Sequence, residues 1–99
     1  MLPKHRPPTH PGEMLMKEFL EPLNVTQVEA ARRMHVPFQR LNAIVCGRRA
    51  VSAETALLLE KLTRMDAEFW LSLQVKWDLW HATREGGLPR VRALVNARA

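Results

Sequence analysis

The chain has 99 residues, 46% of them hydrophobic, with a formal net charge of +5 and a pI near 10.4. That length suits one domain of about five helices and excludes a core with a separate catalytic domain beside it. The basic balance points to a polyanionic partner, and the single cysteine, Cys46, excludes an intrachain disulfide framework and fits a cytoplasmic location.

Residues 1–9 read as a flexible arm: Pro3, Pro7 and Pro8 keep them irregular, and without a long apolar run they do not make a signal peptide. His5 and His10 are expected in this solvated arm. A first helix is predicted to enter at Thr9 or His10, to place Pro11 at an early helical position and to end near Leu20 or Glu21, because Pro22 prevents continuation. Leu15 with Phe19, and Met16 with Leu20, are four apart and give it one apolar face. Thr26 opens a second helix with a capping box, its hydroxyl accepting from the Glu29 amide and the Glu29 carboxylate reaching back to the Thr26 amide. This helix ends near Met34, and His35 and Val36 form a tight turn in which His35 can adopt the left-handed conformation.

A third helix starts around Pro37, reaches Val45 and is stopped by Gly47. Ser52 caps a fourth, with Ala56, Leu59 and Leu62 on one face, and Asp66 caps a fifth that runs to about Thr83. Gly86 and Gly87 end it, and the tail 86–99, basic through Arg90, Arg92 and Arg98, either frays or forms a short extra helix. The most apolar stretch, Phe69 to Trp80, is interrupted by Ser72, Gln74, Lys76 and Asp78, so no membrane span is predicted. The domain proper is therefore residues 10–85, all-α, between the arm and the basic tail.

Two short helices around a tight turn have the dimensions of a helix-turn-helix. Small Ala31 permits their close crossing, and Met34, Val36, Leu41, Ile44 and Val45 supply the apolar seam, which leaves Phe38, Gln39, Asn42, Ala43 and Cys46 pointing outward. Gln39 and Asn42 have the paired donor and acceptor that adenine presents in the major groove, Arg40 suits guanine or phosphate, and Phe38 suits a thymine methyl. Arg48 and Arg49 after the Gly47 stop, and Gln27 at the start of the second helix, suit the phosphate backbone. From Ala30 through Ala53 there is no Asp or Glu, while Arg32, Arg33, Arg40, Arg48 and Arg49 all fall within this window. The plainer reading, a solvated face of an ordinary helical bundle, explains less of this segregation.

The stretches His10-Pro11-Gly12-Glu13, Thr26-Gln27, and Val36-Pro37 through Gly47-Arg48-Arg49 resemble the HigA antitoxins within the XRE-like, lambda-repressor-like helix-turn-helix proteins, and Asp66 through Gln74 with Trp77-Asp78-Leu79 strengthens the likeness. The resemblance covers about Thr9 to Thr83. It implies a dimer that binds double-stranded operator DNA, represses its own operon, and neutralises by direct binding a HigB toxin, a RelE-like ribonuclease acting on messenger RNA. His35 stands where the wider family often has Gly, and Cys46 where Asn is common.

On the fifth helix Phe69, Trp70, Leu73, Trp77 and Trp80 cluster on one face, with Leu71, Val75 and Leu79 as a second stripe roughly opposite. The first face suits the domain core and the second a symmetry mate, unless the C-terminal tail covers it. Glu13, Glu18 and Glu21, with only Lys17 among them, offer an acidic surface to a basic toxin. No cofactor or metal site is predicted and an enzyme is disfavoured, since His5, His10, His35 and His81 are scattered and no phosphate-cradling glycine loop occurs. A standalone repressor without a toxin is the alternative function, and an adaptor that has lost DNA binding fits the arginine cluster least.

Overall fold

A computed structural model of the chain describes residues 6–95; the expectations for His5 and Arg98 lie outside the described residues. The described residues form helices α1 (Pro11–Leu15), α2 (Gln27–Met34), α3 (Phe38–Val45), α4 (Ala53–Thr63) and α5 (Ala67–Glu85), with a π-helical turn, Met16–Leu20, continuing α1. Among the described residues no strand occurs and no helix is long and apolar enough to cross a membrane.

Helix α1 begins where Pro11 allows it, but its cap is His10, whose Nδ1 accepts from the Gly12 N–H at 2.9 Å. His10 is 4% exposed and meets the edge of the Trp77 ring at 4.9 Å, which corrects its placement in a solvated arm. The first helix also departs from a plain α-helix: the Glu21 N–H donates to Met16 O, five residues back. Leu15 and Leu20 are the fully enclosed pair, five apart, while Met16 and Phe19 are half-buried. An α-helix would carry Leu20 well around the axis from Leu15; the wider π turn returns it to the core side.

Thr26 caps α2 as expected, its Oγ1 accepting from the Glu29 N–H at 3.1 Å. The reciprocal half of the capping box does not form. The Glu29 carboxylate instead takes both Arg32 and Arg33, and these hydrogen bonds, Arg32 first, hold it down to about 2. A charge-assisted bond to guanidinium outcompetes a neutral amide for the same carboxylate.

α2 and α3 end in the same way. The Val36 N–H donates to Ala31 O and the His35 N–H to Arg32 O, with His35 left-handed at φ 59°. Likewise the Arg48 N–H donates to Ala43 O and the Gly47 N–H to Ile44 O, with Gly47 at φ 77°. Both are Schellman motifs, and His35 bears a strain that the glycine escapes.

Ser52 caps α4 through the Thr55 N–H. Asp66 stands at the N-cap of α5 but makes no side-chain cap bond. α5 packs along α4 and against α1, driving Trp70, fully buried, between Phe19 and Phe69 at ring separations of 5.8 and 5.2 Å. Phe69, Leu73, Trp77 and Trp80 are half-buried. Leu71 also packs on the core cluster, so of the second stripe only Val75 and Leu79, each 53% exposed, stand clear of it. The described part of the tail leaves them uncovered: residues 88–95 contain no helix, and Leu88, Val91, Leu94 and Val95 are themselves exposed.

Gly12 lies where α1 and the end of α3 approach backbone to backbone. A Cβ built there would lie 2.0 Å from Ile44 O and 2.7 Å from Val45 Cα, backbone atoms with no freedom to withdraw. Gly12→Ala should therefore lower unfolding free energy by about 3 kcal/mol, read from the urea midpoint; a change within about 0.5 kcal/mol would remove this contact from the fold's requirements.

Burial holds His10 below its ordinary value of 6.5, against the opposing pull of Asp78 and Glu13, and its cap bond needs an unprotonated Nδ1. As pH falls through 6.5 the unfolded chain takes up a proton that the native state still refuses, so stability present above that value is lost downward. Urea midpoints should fall between about pH 7 and 5, and His10→Asn, which keeps a cap acceptor, should flatten that slope. An unchanged slope in the variant would assign the pH response elsewhere.

Candidate nucleic-acid interface

The exposed side of α3 and the first turn of α2 meet at one side-chain chain of hydrogen bonds. Asn42 Nδ2 donates to Gln27 Oε1 at 3.0 Å, and Arg48 Nη2 donates to Asn42 Oδ1 at 3.3 Å. The residues come from three places: the first position of α2, the middle of α3, and the Schellman turn beyond it. Sequence reading picked all three and expected Gln27 to act separately from Asn42; the fold makes them one unit. With its carbonyl engaged by Gln27's partner, Gln27 keeps its amide N–H groups to present outward.

Gln39 is exposed beside this chain, and Phe38 is 42% exposed at the start of α3. Val28, 63% exposed, joins Phe38 in lining an open, mainly apolar groove with Met16, Leu20 and Val25. Val28 was not singled out from sequence, although its place one residue after Gln27 put it in the same first turn. Cys46 is exposed, with its Sγ 3.9 Å from Asn42 Oδ1, and Ala43 is half-buried.

Arg40 is placed differently. Its Nη2 donates to Thr55 Oγ1 at 2.8 Å and pairs with Glu54 at 3.3 Å, and its side chain is 24% exposed. It binds α3 to the first turn of α4, a contact that sequence could not foresee because Glu54 lies just past the acid-free window.

The same holds at the other edge of that window, where Glu29 engages Arg32 and Arg33. Among the described residues Arg48 and Arg49 have no acidic partner; both are exposed, and both backbone N–H groups donate to Ala43 O. The unquenched positive charge of the window therefore sits on one short loop beside α3. The acidic surface of the first helix is partly neutralised in turn, Lys17 pairing with Glu13 at 2.9 Å, while Glu18 and Glu21 remain exposed.

The loop also has a support that sequence reading missed. Gln74, on the buried side of α5, accepts from the Val51 N–H at 2.8 Å. Its signal was present: it falls four residues after Trp70 and three before Trp77, on the face assigned to the core, where an amide must find a partner.

A helix-turn-helix family model matches residues 16–70. Virulence-associated protein I of Dichelobacter nodosus is 38% identical over 79 residues, covering 80% of this chain and 73% of the relative. Antitoxin HigA-1 of Vibrio cholerae is 36% identical over 75 residues, covering 76% of this chain and 70% of the relative. Several curated relatives are longer, this chain spanning 63 to 73% of their length. Among solved structures, that of the Pseudomonas aeruginosa antitoxin HigA with the higBA promoter superposes with a TM-score of 0.77 at 35% identity, covering 81% of this chain and 87% of that one.

Proposed function

The chain belongs to the helix-turn-helix family, in the group that contains the HigA antitoxins, and from that premise we propose that it is an antitoxin and autorepressor. In this reading it binds operator DNA as a homodimer through α3, represses its own operon in the cytoplasm, and neutralises a RelE-like ribonuclease toxin by direct binding. Residues 10–85 are the working unit, with the arm and the basic tail outside it.

The observation that carries the reading is the hydrogen-bonded chain Gln27–Asn42–Arg48 along α3, in which Arg48, like its neighbour Arg49, has no acidic partner among the described residues. Preorganised donors at the surface of a helix held by two rigid turns suit base edges, and the adjoining arginines suit phosphate. Gln39 and Asn42 are assigned to base edges, Phe38 to a thymine methyl, and Gln27, Arg48 and Arg49 to the backbone. Arg40 leaves that group and takes the role of bracing α3 on α4. Val75 and Leu79, uncovered on α5, supply the apolar centre of the dimer, with Leu71 at its edge. A two-fold dimer places its α3 helices in successive major grooves, about 34 Å apart.

The first test titrates the purified protein against its own upstream promoter and a scrambled duplex at two salt concentrations, with and without the product of the adjacent gene. Promoter-selective binding and a stable complex with that product are expected; selective binding with no complex would leave a plain repressor. In the same assay Gln39→Ala and Asn42→Ala should each lose about 1–3 kcal/mol of discrimination. Arg48→Ala should weaken binding to both duplexes alike and reduce the salt slope by about 1. Arg40→Ala should instead cost about 1 kcal/mol of stability and leave discrimination intact. Equal losses on both duplexes for Gln39→Ala, Asn42→Ala and Arg48→Ala would undo these assignments.

The dimer assignment has its own check. Val75→Asp with Leu79→Asp should shift sedimentation to the monomer while preserving the helical circular dichroism spectrum, since both residues are exposed within one chain. A dimer that survives both changes would place the two-fold contact elsewhere.

A further inference from the structure

Gln74 is 5% exposed, yet both ends of its amide are engaged: Oε1 accepts from the Val51 N–H at 2.8 Å, and Nε2 donates to Asp78 Oδ1 at 2.9 Å. The partners fix its orientation, because a backbone N–H only donates and an ionised carboxylate only accepts. Val51 is 4% exposed and closes the segment that leaves the Schellman turn of α3, carries Arg48 and Arg49, and reaches the Ser52 cap of α4. That segment is thus held at one end by Ala43 O and at the other by Gln74. Without Gln74 the Val51 N–H would be buried and unpaired, and the loop could relieve it only by moving out to water, taking the two arginines with it.

The outer link of this chain faces solvent. Asp78 is exposed and stands three residues after Val75 and one before Leu79, so whatever covers those two side chains meets Asp78 as well. We infer that Gln74 is a positioning residue for the DNA interface: through Asp78–Gln74–Val51 the outer face of α5 sets the placement of the Arg48–Arg49 loop. The inference rests on the DNA-binding reading above and adds to it a physical link between the dimer surface and the phosphate contacts.

The test uses Gln74→Leu, which removes the amide at similar volume, and a swap that combines Gln74→Glu with Asp78→Asn. In the swap the introduced carboxylate accepts from Val51 and the introduced amide donates to that carboxylate, so the chain is rebuilt with its groups exchanged. Gln74→Leu is expected to stay helical and dimeric, to lose about tenfold in affinity for promoter and scrambled duplex alike, and to show a shallower salt slope. The swap is expected to recover both affinity and slope, and Gln74→Glu alone to recover neither, since it sets two carboxylates together. If Gln74→Leu does not fold, the comparison of Gln74→Glu with the swap carries the same contrast.

Wild-type affinity and slope in folded Gln74→Leu, with only a lower urea midpoint, would overturn the inference and leave Gln74 a satisfied core amide. A swap that restores the midpoint but not the affinity would do the same. If the wild-type chain binds neither duplex at low salt, the DNA-binding reading falls and the inference with it.

Discussion

The backbone contact between Gly12 and the end of α3 is the constraint on which the arrangement turns. Most helix contacts in a small domain are cushioned by side chains that can change rotamer. Here the Gly12 α-carbon sits against Ile44 O and Val45 Cα, leaving no such cushion. The level of α3 is referenced to the first turn of α1, and that turn is fixed by Pro11 and the His10 cap. From the anchored end of α3 follow, in chain order, the Gly47 turn, the arginine loop, the Val51 tether and the Ser52 cap. Trp70 fills the volume that α1, α4 and α5 leave between them.

Much of this was legible in the sequence wherever one residue type has one local job. Thr26, Ser52 and Gly47 mark helix ends by chemistry confined to their own turns, and they act as expected. Ala31, Met34, Leu41 and Ile44 follow from helical period alone and are buried. Legibility failed where a residue had a choice of partners. Glu29 was assigned to an amide and took two guanidinium groups; Arg40 was assigned to DNA and has Thr55 and Glu54; His10 was assigned to solvent and turned inward to cap a helix. The π turn was hidden because residues 15, 16, 19 and 20 satisfy a four-residue period as well as the five-residue one, and only burial separates them.

The charge pattern shows the same division. A window without acids suggests a uniformly basic face, but acids at its two edges reach in and pair with Arg32, Arg33 and Arg40. What survives is a compact source of positive potential at Arg48 and Arg49. A focused source beside a groove-sized helix orients an approaching polyanion more sharply than the same charge spread over two helices and the loop. Net charge in the sequence therefore overstates the amount of the interface's field and understates its direction.

The bond between Gln27 and Asn42 bears on how such a protein changes over generations. The Asn42 amide donates to the Gln27 carbonyl, so a substitution at either residue leaves one half-buried polar group without that partner in the unbound protein. Single-step drift at Asn42, the proposed base reader of the pair, meets a penalty in the unbound protein, and under that assignment a change of base preference there needs a compensating change at Gln27. Gln39, the other proposed reader, is exposed and outside the bonded chain, so under the same assignment its base preference is free to change one codon at a time.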